Sequence, residues 1–295
     1  MFAWFRKVRR LVGAARRVER RLERMQEALG RIESRQIAAP PPGQLRAAEF
    51  RVFSQWGEDG IIQHLINTVP IEHRNFVEFG VEDYSEANTR FLLMHDNWSG
   101  LLLDGDPDNI ARIRRDDLSW RYTLKAECAF ITRENINELL SRNGMAGDVG
   151  LLSIDIDGND YWVWEALEVI KPRIVVIEYN SRFGPSRAVS VPYDAGFTRA
   201  KAHHSTIYYG ASLAALVRLG EHKGYDFVGS NSTGCNAFFV RRELRPACLA
   251  RRTAQEEFVA GQFREARGAN GELIFLGPEE EQRVLDGLPV VEVSP

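Results

Sequence analysis

Short unbroken apolar runs alternate with helically spaced stretches through most of this chain. Leu151-Leu-Ser-Ile and Ile174-Val-Val-Ile are the plainest runs, of the kind a strand needs when a parallel sheet buries both its faces. Between them Tyr161 to Ile170 has helical spacing, so the unit predicts strand, helix, strand. Similar units precede it. A helix over Ile61 to Val69 leads to a strand over Asn75 to Gly80 and a helix over Ser85 to Asn97 capped by Ser85. A strand over Gly100 to Asp104 and a helix opening at Pro107 follow, then a strand over Arg121 to Ala126 and a helix from a Thr132 cap to Arg142. Beyond an irregular stretch, Ser181 to Ser205, helical spacing returns over Gly210 to Lys223. Tyr225-Asp-Phe-Val-Gly and Asn236-Ala-Phe-Phe-Val then flank Ser230 to Gly234 as a hairpin. Five strands alternating with helices and closed by a strand pair predict an α/β fold, a doubly wound, Rossmann-like sheet of seven strands. A helix and a short apolar tail over 246–295 are expected to pack on its edge.

A different rhythm occupies the N-terminus. Leu11, Ala15, Val18, Leu22, Met25, Leu29 and Ile32 are spaced 4, 3, 4, 3, 4, 3, a heptad seam with Arg and Glu on the other faces. It predicts a basic, coiled-coil-like helix over 1–38 that is marginal alone. Three partners suit it: a second copy, making a homo-oligomer, an anionic membrane surface, or the body of the protein. Ala38 to Gly43 holds three prolines, which predicts a linker over 39–45 and a main domain over 46–245.

Charge changes the picture at one end only. Residues 1–24 hold nine Lys and Arg against Glu19 and Glu23, a local +7 within a total of −3, so the remainder carries −10. A body this acidic is a poor nucleic-acid binder. Cys128, Cys235 and Cys248 fit neither a disulfide framework nor a zinc site, which favours a reducing, cytoplasmic setting. No apolar run approaches the roughly 20 residues of a membrane span. The charged N-terminus lacks the apolar core of a signal peptide, so membrane contact is expected to be peripheral at most, at the inner face.

Candidate chemistry sits where the two plainest runs end. Asp155, Asp157 and Asp160 follow the first, Glu178 and Asn180 the second. A right-handed crossover brings such ends to one edge of the sheet, where open α/β folds bind ligands. Oxygen ligands converging there suit a hard divalent cation. Any one of these acids alone serves equally well as a turn or cap residue. Ser181 to Ser205, with His203 and His204 just before its end, is expected to lie over that edge as an ordered insertion.

Phe76-Val-Glu-Phe-Gly-Val-Glu-Asp followed by Ser85-Glu-Ala-Asn-Thr resembles the first motif of FkbM-type S-adenosylmethionine (SAM) methyltransferases. Ser54-Gln-Trp-Gly-Glu-Asp59 resembles the element before that motif, and Trp98-Ser-Gly-Leu-Leu-Leu-Asp-Gly-Asp-Pro107 the second motif. The resemblance covers roughly Phe50 to Arg242 and implies the class I methyltransferase fold with SAM as cofactor. It implies a cofactor site drawn from Gln55, Asp59, Glu78, Gly80, Glu82, Ser85, Asn88, Asp104, Asp106, Glu127 and Asp155. Glycine at Gly80 would let the backbone approach the cofactor, having no Cβ. Asp104, with Asp106 second, would accept the ribose hydroxyls. Glu127 would end strand three near the adenine, and Glu78 would face the methionine end or order the loop. The loop from Gly80 lacks G-x-G-x-x-G, which argues against NAD.

The acids also resemble the site of metal-dependent sugar O-methyltransferases, with Asp157-Gly-Asn-Asp160 at the place of Asp-Gly-x-His and Glu178-Tyr-Asn180 at the place of the second acid pair. This implies Mg²⁺ held by Asp157 and Glu178, with Asn180 or Asp155 third. The family's catalytic histidine falls on Asp160, leaving that carboxylate, His203 or His204 as general base. Together the resemblances imply a SAM-dependent O-methyltransferase acting on a sugar hydroxyl in a glycan, glycolipid or glycosylated metabolite. Two rivals stand beside it: a glycosyltransferase using Asp155-Ile-Asp157 to bind a metal and nucleotide sugar, and a non-catalytic scaffold assembled through the N-terminal helix.

Overall fold

The computed structural model describes residues 2–36 and 44–294. Its elements begin α1 (Phe2–Gln36), α2 (Glu58–Thr68), β1 (Asn75–Phe79), α3 (Arg90–Asp96), β2 (Ser99–Asp104), α4 (Pro107–Arg115), α5 (Leu118–Arg121) and β3 (Leu124–Cys128). They continue through α6 (Ile136–Arg142), β4 (Gly147–Ile154), α7 (Asp160–Ala166), β5 (Ile170–Glu178), β6 (Val189–Ser190) and α8 (Arg199–Ala202). Last come α9 (Leu213–His222), β7 (Tyr225–Ser230), β8 (Asn236–Arg241), α10 (Ala254–Glu257), α11 (Pro278–Asp286) and β9 (Val291–Glu292). The expected linker falls largely on 37–43, outside the described residues.

Seven strands form one sheet in the order β3-β2-β1-β4-β5-β8-β7, all parallel except β8, which opposes both neighbours. This order with its single reversed strand is that of the Rossmann-like class I methyltransferase fold. Apolar runs suit it because both faces are covered: Val77, Leu101 and Leu152 pack on one side, Phe76, Leu102 and Leu151 on the other. Among the described residues no helix is long and apolar enough to cross a membrane.

Boundaries move from their expected places: the helix expected over 161–170 is α7, Asp160–Ala166, with Ile170 already in β5. The helix expected from Ser85 begins at Arg90, because Glu78 reaches across to take the amides of Asn88 and Thr89 at 2.9 and 3.2 Å. Ser85 instead donates its hydroxyl to Asp83 at 2.5 Å. The third strand starts at Leu124, after residues 118–121 close a short helix. Thr132 shapes a turn, and the helix after it begins at Ile136.

The last part of α1 lies against the body. Glu23 pairs with Arg90, Gln26 donates to the carbonyl of Val52, and Ser34 donates to Gln63 at 3.1 Å. Gly30 makes the approach possible, since a Cβ there would stand 2.4 Å from a Val52 methyl and 3.0 Å from the Phe91 ring. The heptad residues along this part, Leu22, Met25, Leu29 and Ile32, stay exposed.

Candidate functional site

A cleft of about 1070 Å³ opens along the carboxyl ends of the central strands. Its floor follows from register. Phe79 pairs with Ile154, and Ile154 with Ile177, so Gly80 and Asp155, just beyond β1 and β4, meet Glu178, the last residue of β5, at one edge. Gly80 has φ +69°, and a Cβ on it would stand 1.5 Å from the Asp155 carbonyl oxygen. The glycine is therefore required by the protein's own neighbouring backbone, whatever approaches from the cleft.

Gln55, Glu78, Gly80, Glu82, Asn88, Asp104, Asp106 and Asp155 all line this cleft. Asp104 is buried at the end of β2 and fastens the loop after β1. Its Oδ2 accepts the amides of Val81 and Glu82 at 3.1 and 2.8 Å, and its Oδ1 accepts that of Asp106 at 2.8 Å. The carboxylate's fourth lone-pair site takes only a long bond from Asn109 Nδ2 at 3.5 Å, which a ligand hydroxyl would replace. The fastened loop is strained: Glu82 and Tyr84 have φ of 47° and 64° without being glycine. Each such residue costs roughly 1–2 kcal/mol, and the Asp104 bonds together with the buried Tyr84 ring offset it. Glu78 orders the loop from the other side. Burial pushes its carboxyl up, against the hydrogen bonds from Thr89 and Asn88.

Beyond Gly80 the cleft reaches three acids. Asp155, Asp157 and Glu178 each offer an oxygen, and these atoms lie within 4.8 Å of one another. Asp157 stands at φ 55°, in the left-handed region that Asp tolerates better than most residues. Glu178 Oε2 is buried and has no hydrogen-bond partner. An orphaned carboxylate oxygen facing two more acids is costly unless something positive joins it. Burial, then repulsion from the neighbouring acids, holds both Asp155 and Glu178 well above the usual carboxylate range. Arg199 supplies part of the missing charge. Its guanidinium meets Asp157 at 2.8 Å, also pairs with Glu265, and lies 3.9 Å over the Tyr209 ring.

Several expected residues stand elsewhere. Asn180 is fully buried and turned away, donating to the carbonyls of Ile207 and Tyr209 at 2.9 and 3.1 Å, so Asp155 takes its place beside Asp157 and Glu178. Asp160 is also fully buried, bracing its own turn through the amides of Ile156 and Gly158 at 2.9 and 2.8 Å. Burial pushes it up to about 6, but it does not line the cleft. His203 and His204 do not line it either: the imidazole of His203 turns back to Ser205 at 2.7 Å. Neither histidine nor Asp160 is placed to take a proton from an acceptor in the cleft. Asp59 gathers the amides of Val52, Phe53 and Ser54 within the core. Ser85 lies on the exposed loop, and Glu127 is held by Arg142 and Asn143 outside the cleft.

The structure adds residues with no local motif to mark them. Arg199 and Thr206 come from the insertion and its far end, and Phe263, Glu265 and Arg267 from the C-terminal segment. The insertion does lie over the strand ends, through Phe197 to Ala200 and not through its histidines. Arg182 ties the two added walls together by pairing with Glu265 at 2.7 Å and Glu281 at 3.1 Å.

No described protein family matches the chain, and no curated protein matches it. Solved structures do. The N-terminal domain of EvdMO1 with S-adenosylhomocysteine (SAH) bound is 13% identical, with a TM-score of 0.44 over 64% of this chain and 82% of that one. A SAM-dependent methyltransferase from Clostridium acetobutylicum is 9% identical, with a TM-score of 0.40 over 62% and 89%. An O-methyltransferase from Bacillus cereus in complex with SAH is 13% identical, with a TM-score of 0.34 over 56% and 72%.

Proposed function

We propose that this protein is a SAM-dependent O-methyltransferase that methylates a sugar hydroxyl with the help of a divalent cation. One observation carries the reading: a single cleft joins the Gly80 and Asp104 end of the sheet to the cluster of Asp155, Asp157 and Glu178. Asp104 and Asp106 offer acceptors for ribose hydroxyls, and Phe130 and Ile131 an apolar wall for the adenine. The acceptor half suits a sugar. Gln55, Thr206, Asn236 and Arg267 supply polar groups, and Phe263, stacked on Trp56 at 5.2 Å, supplies an apolar ring face.

Methyl transfer forms a C–O bond from the acceptor oxygen as the sulfonium C–S bond breaks, leaving SAH and a proton. The site has to align the reacting atoms and receive that proton. The carboxylates the cleft brings there are Asp155, Asp157 and Glu178, and one not engaged by the cation would receive the proton. The all-oxygen donor set and the orphaned Glu178 oxygen fit Mg²⁺, which when bound would polarise the acceptor hydroxyl. Arg199 keeps Asp157 and Glu265 in place beside it.

Calorimetry with SAH is the first test. The wild type should bind, and Asp104→Ala should bind about tenfold more weakly, a loss of about 1.4 kcal/mol. Transfer from labelled SAM to a panel of sugars, with Mg²⁺ or with EDTA, is the second. Glu178→Gln should retain SAH affinity and lose about 100-fold or more in turnover. A wild type that does not bind SAH would sink the proposal.

A further inference from the structure

The body leaves the apolar seam of α1 uncovered. Leu11, Val18, Leu22, Met25, Leu29 and Ile32 are exposed by 50% to 62%. The alternation of four and three residues also runs upstream through Val8 to Trp4, which is 64% exposed, so apolar residues fill every a and d position from Trp4 to Ile32. Among the described residues, hydrogen bonds and ion pairs from α1 to the body begin only at Glu23 and come from Glu23, Gln26 and Ser34, none of them at an a or d position. A helix of 35 residues held along its last part alone is short of the tertiary packing that keeps most helices formed.

The charges beside the seam are sorted. Lys7, Arg21 and Arg35 occupy g positions, Glu19 and Glu33 occupy e positions, and no acid stands at g and no base at e. A parallel pair sets each g residue of one helix against the e residue five positions on in the other, Lys7 to Val12, Ala14 to Glu19, Arg21 to Gln26 and Ala28 to Glu33, so no like charges meet. An antiparallel pair would set basic edges together. The seam also keeps a strict seven-residue repeat over four heptads, which stays aligned only when two helices wind around each other. On a flat lipid surface a straight helix of 3.6 residues per turn would rotate such a seam away by about 20° per heptad.

We propose that the chain pairs with a second copy of itself through α1, as a parallel two-stranded coiled coil with both bodies outside the seam. Light scattering on the full chain should then give twice the chain mass of 33.5 kDa. The double variant Leu22→Glu/Leu29→Glu, at exposed positions away from the cleft, should be monomeric with SAH affinity unchanged. In a Cys128→Ser/Cys248→Ser background, Leu29→Cys should form a disulfide with its own counterpart under mild oxidation, which only a parallel pair allows. Either of two results overturns the proposal. One is a paired chain in which Leu29→Cys fails to link to its own counterpart and links instead to Leu11→Cys. The other is a monomeric wild type that sediments with phosphatidylcholine/phosphatidylserine vesicles and loses this in the double variant.

Discussion

Two buried acids illustrate how one residue type serves two purposes. Asp59 Oδ2 accepts four hydrogen bonds around the 52–54 turn, yet burial outweighs them and pushes the carboxyl up to about 6 from an ordinary 3.8. The folded state therefore binds a proton that the unfolded chain has already released. Stability contributed by Asp59 is full below the unfolded value and lost as pH rises towards about 6. The Tm of the wild type minus that of Asp59→Asn should thus decline between about pH 4 and pH 6 and then level off. A flat difference would mean that Asp59 is ionised throughout. Glu178 has no such set of donors, and its orphaned oxygen faces two further acids. At pH 7.5, Glu178→Gln should raise Tm by a few degrees, worth about 1 kcal/mol, while abolishing turnover. Mg²⁺ should raise the Tm of the wild type and not of the variant, because a ligand that binds only the folded state stabilises it.

At the scale of elements, the strand ends were readable because an apolar run that stops in carboxylates marks both a buried strand and its mouth. Asp104, Asp155, Asp157 and Glu178 all come from that signal, and all line one cleft. The helix starts were read less well. Thr132 accepts only the Asn135 amide, in the turn before α6, and before α3 it is Glu78 of β1, not Ser85, that takes the amides of Asn88 and Thr89. A cap borrowed from another element leaves no mark in the local sequence. Gly30 is the converse case, a glycine inside a helix that looks unfavourable until Val52 and Phe91 are packed against it. Gly30→Leu should lift the end of α1 from the body at a cost of about 1–3 kcal/mol, seen as a lower Tm and faster proteolysis near residue 36, with SAH affinity unchanged. Unaltered proteolysis would show that α1 finds the body by other contacts.

Across the whole molecule, the cleft has a floor built by the sheet and walls built by segments far away in the chain. Arg199, from the insertion, joins Asp157 beside β4 to Glu265 in the C-terminal segment. Arg199→Ala should leave SAH binding intact and raise the Mg²⁺ requirement of methyl transfer, since the acids lose their resident counter-charge. Equal activity in EDTA and Mg²⁺ for both proteins would remove the cation from the reaction.

The alternation of apolar runs and helical spacing was enough to specify the doubly wound sheet, since burial on both faces admits few other solutions. The acids at its mouth and the heptad seam were written locally in the same way. Tertiary structure alone decided which acids converge, because side-chain direction past a strand end depends on the turn that follows. Asn180 and Asp160 were drawn inward to satisfy buried backbone groups, while Asp155, Asp157 and Glu178 were left facing one another. It decided as well that Arg199 and Glu265 meet over the site, a pairing between distant segments that no local pattern encodes.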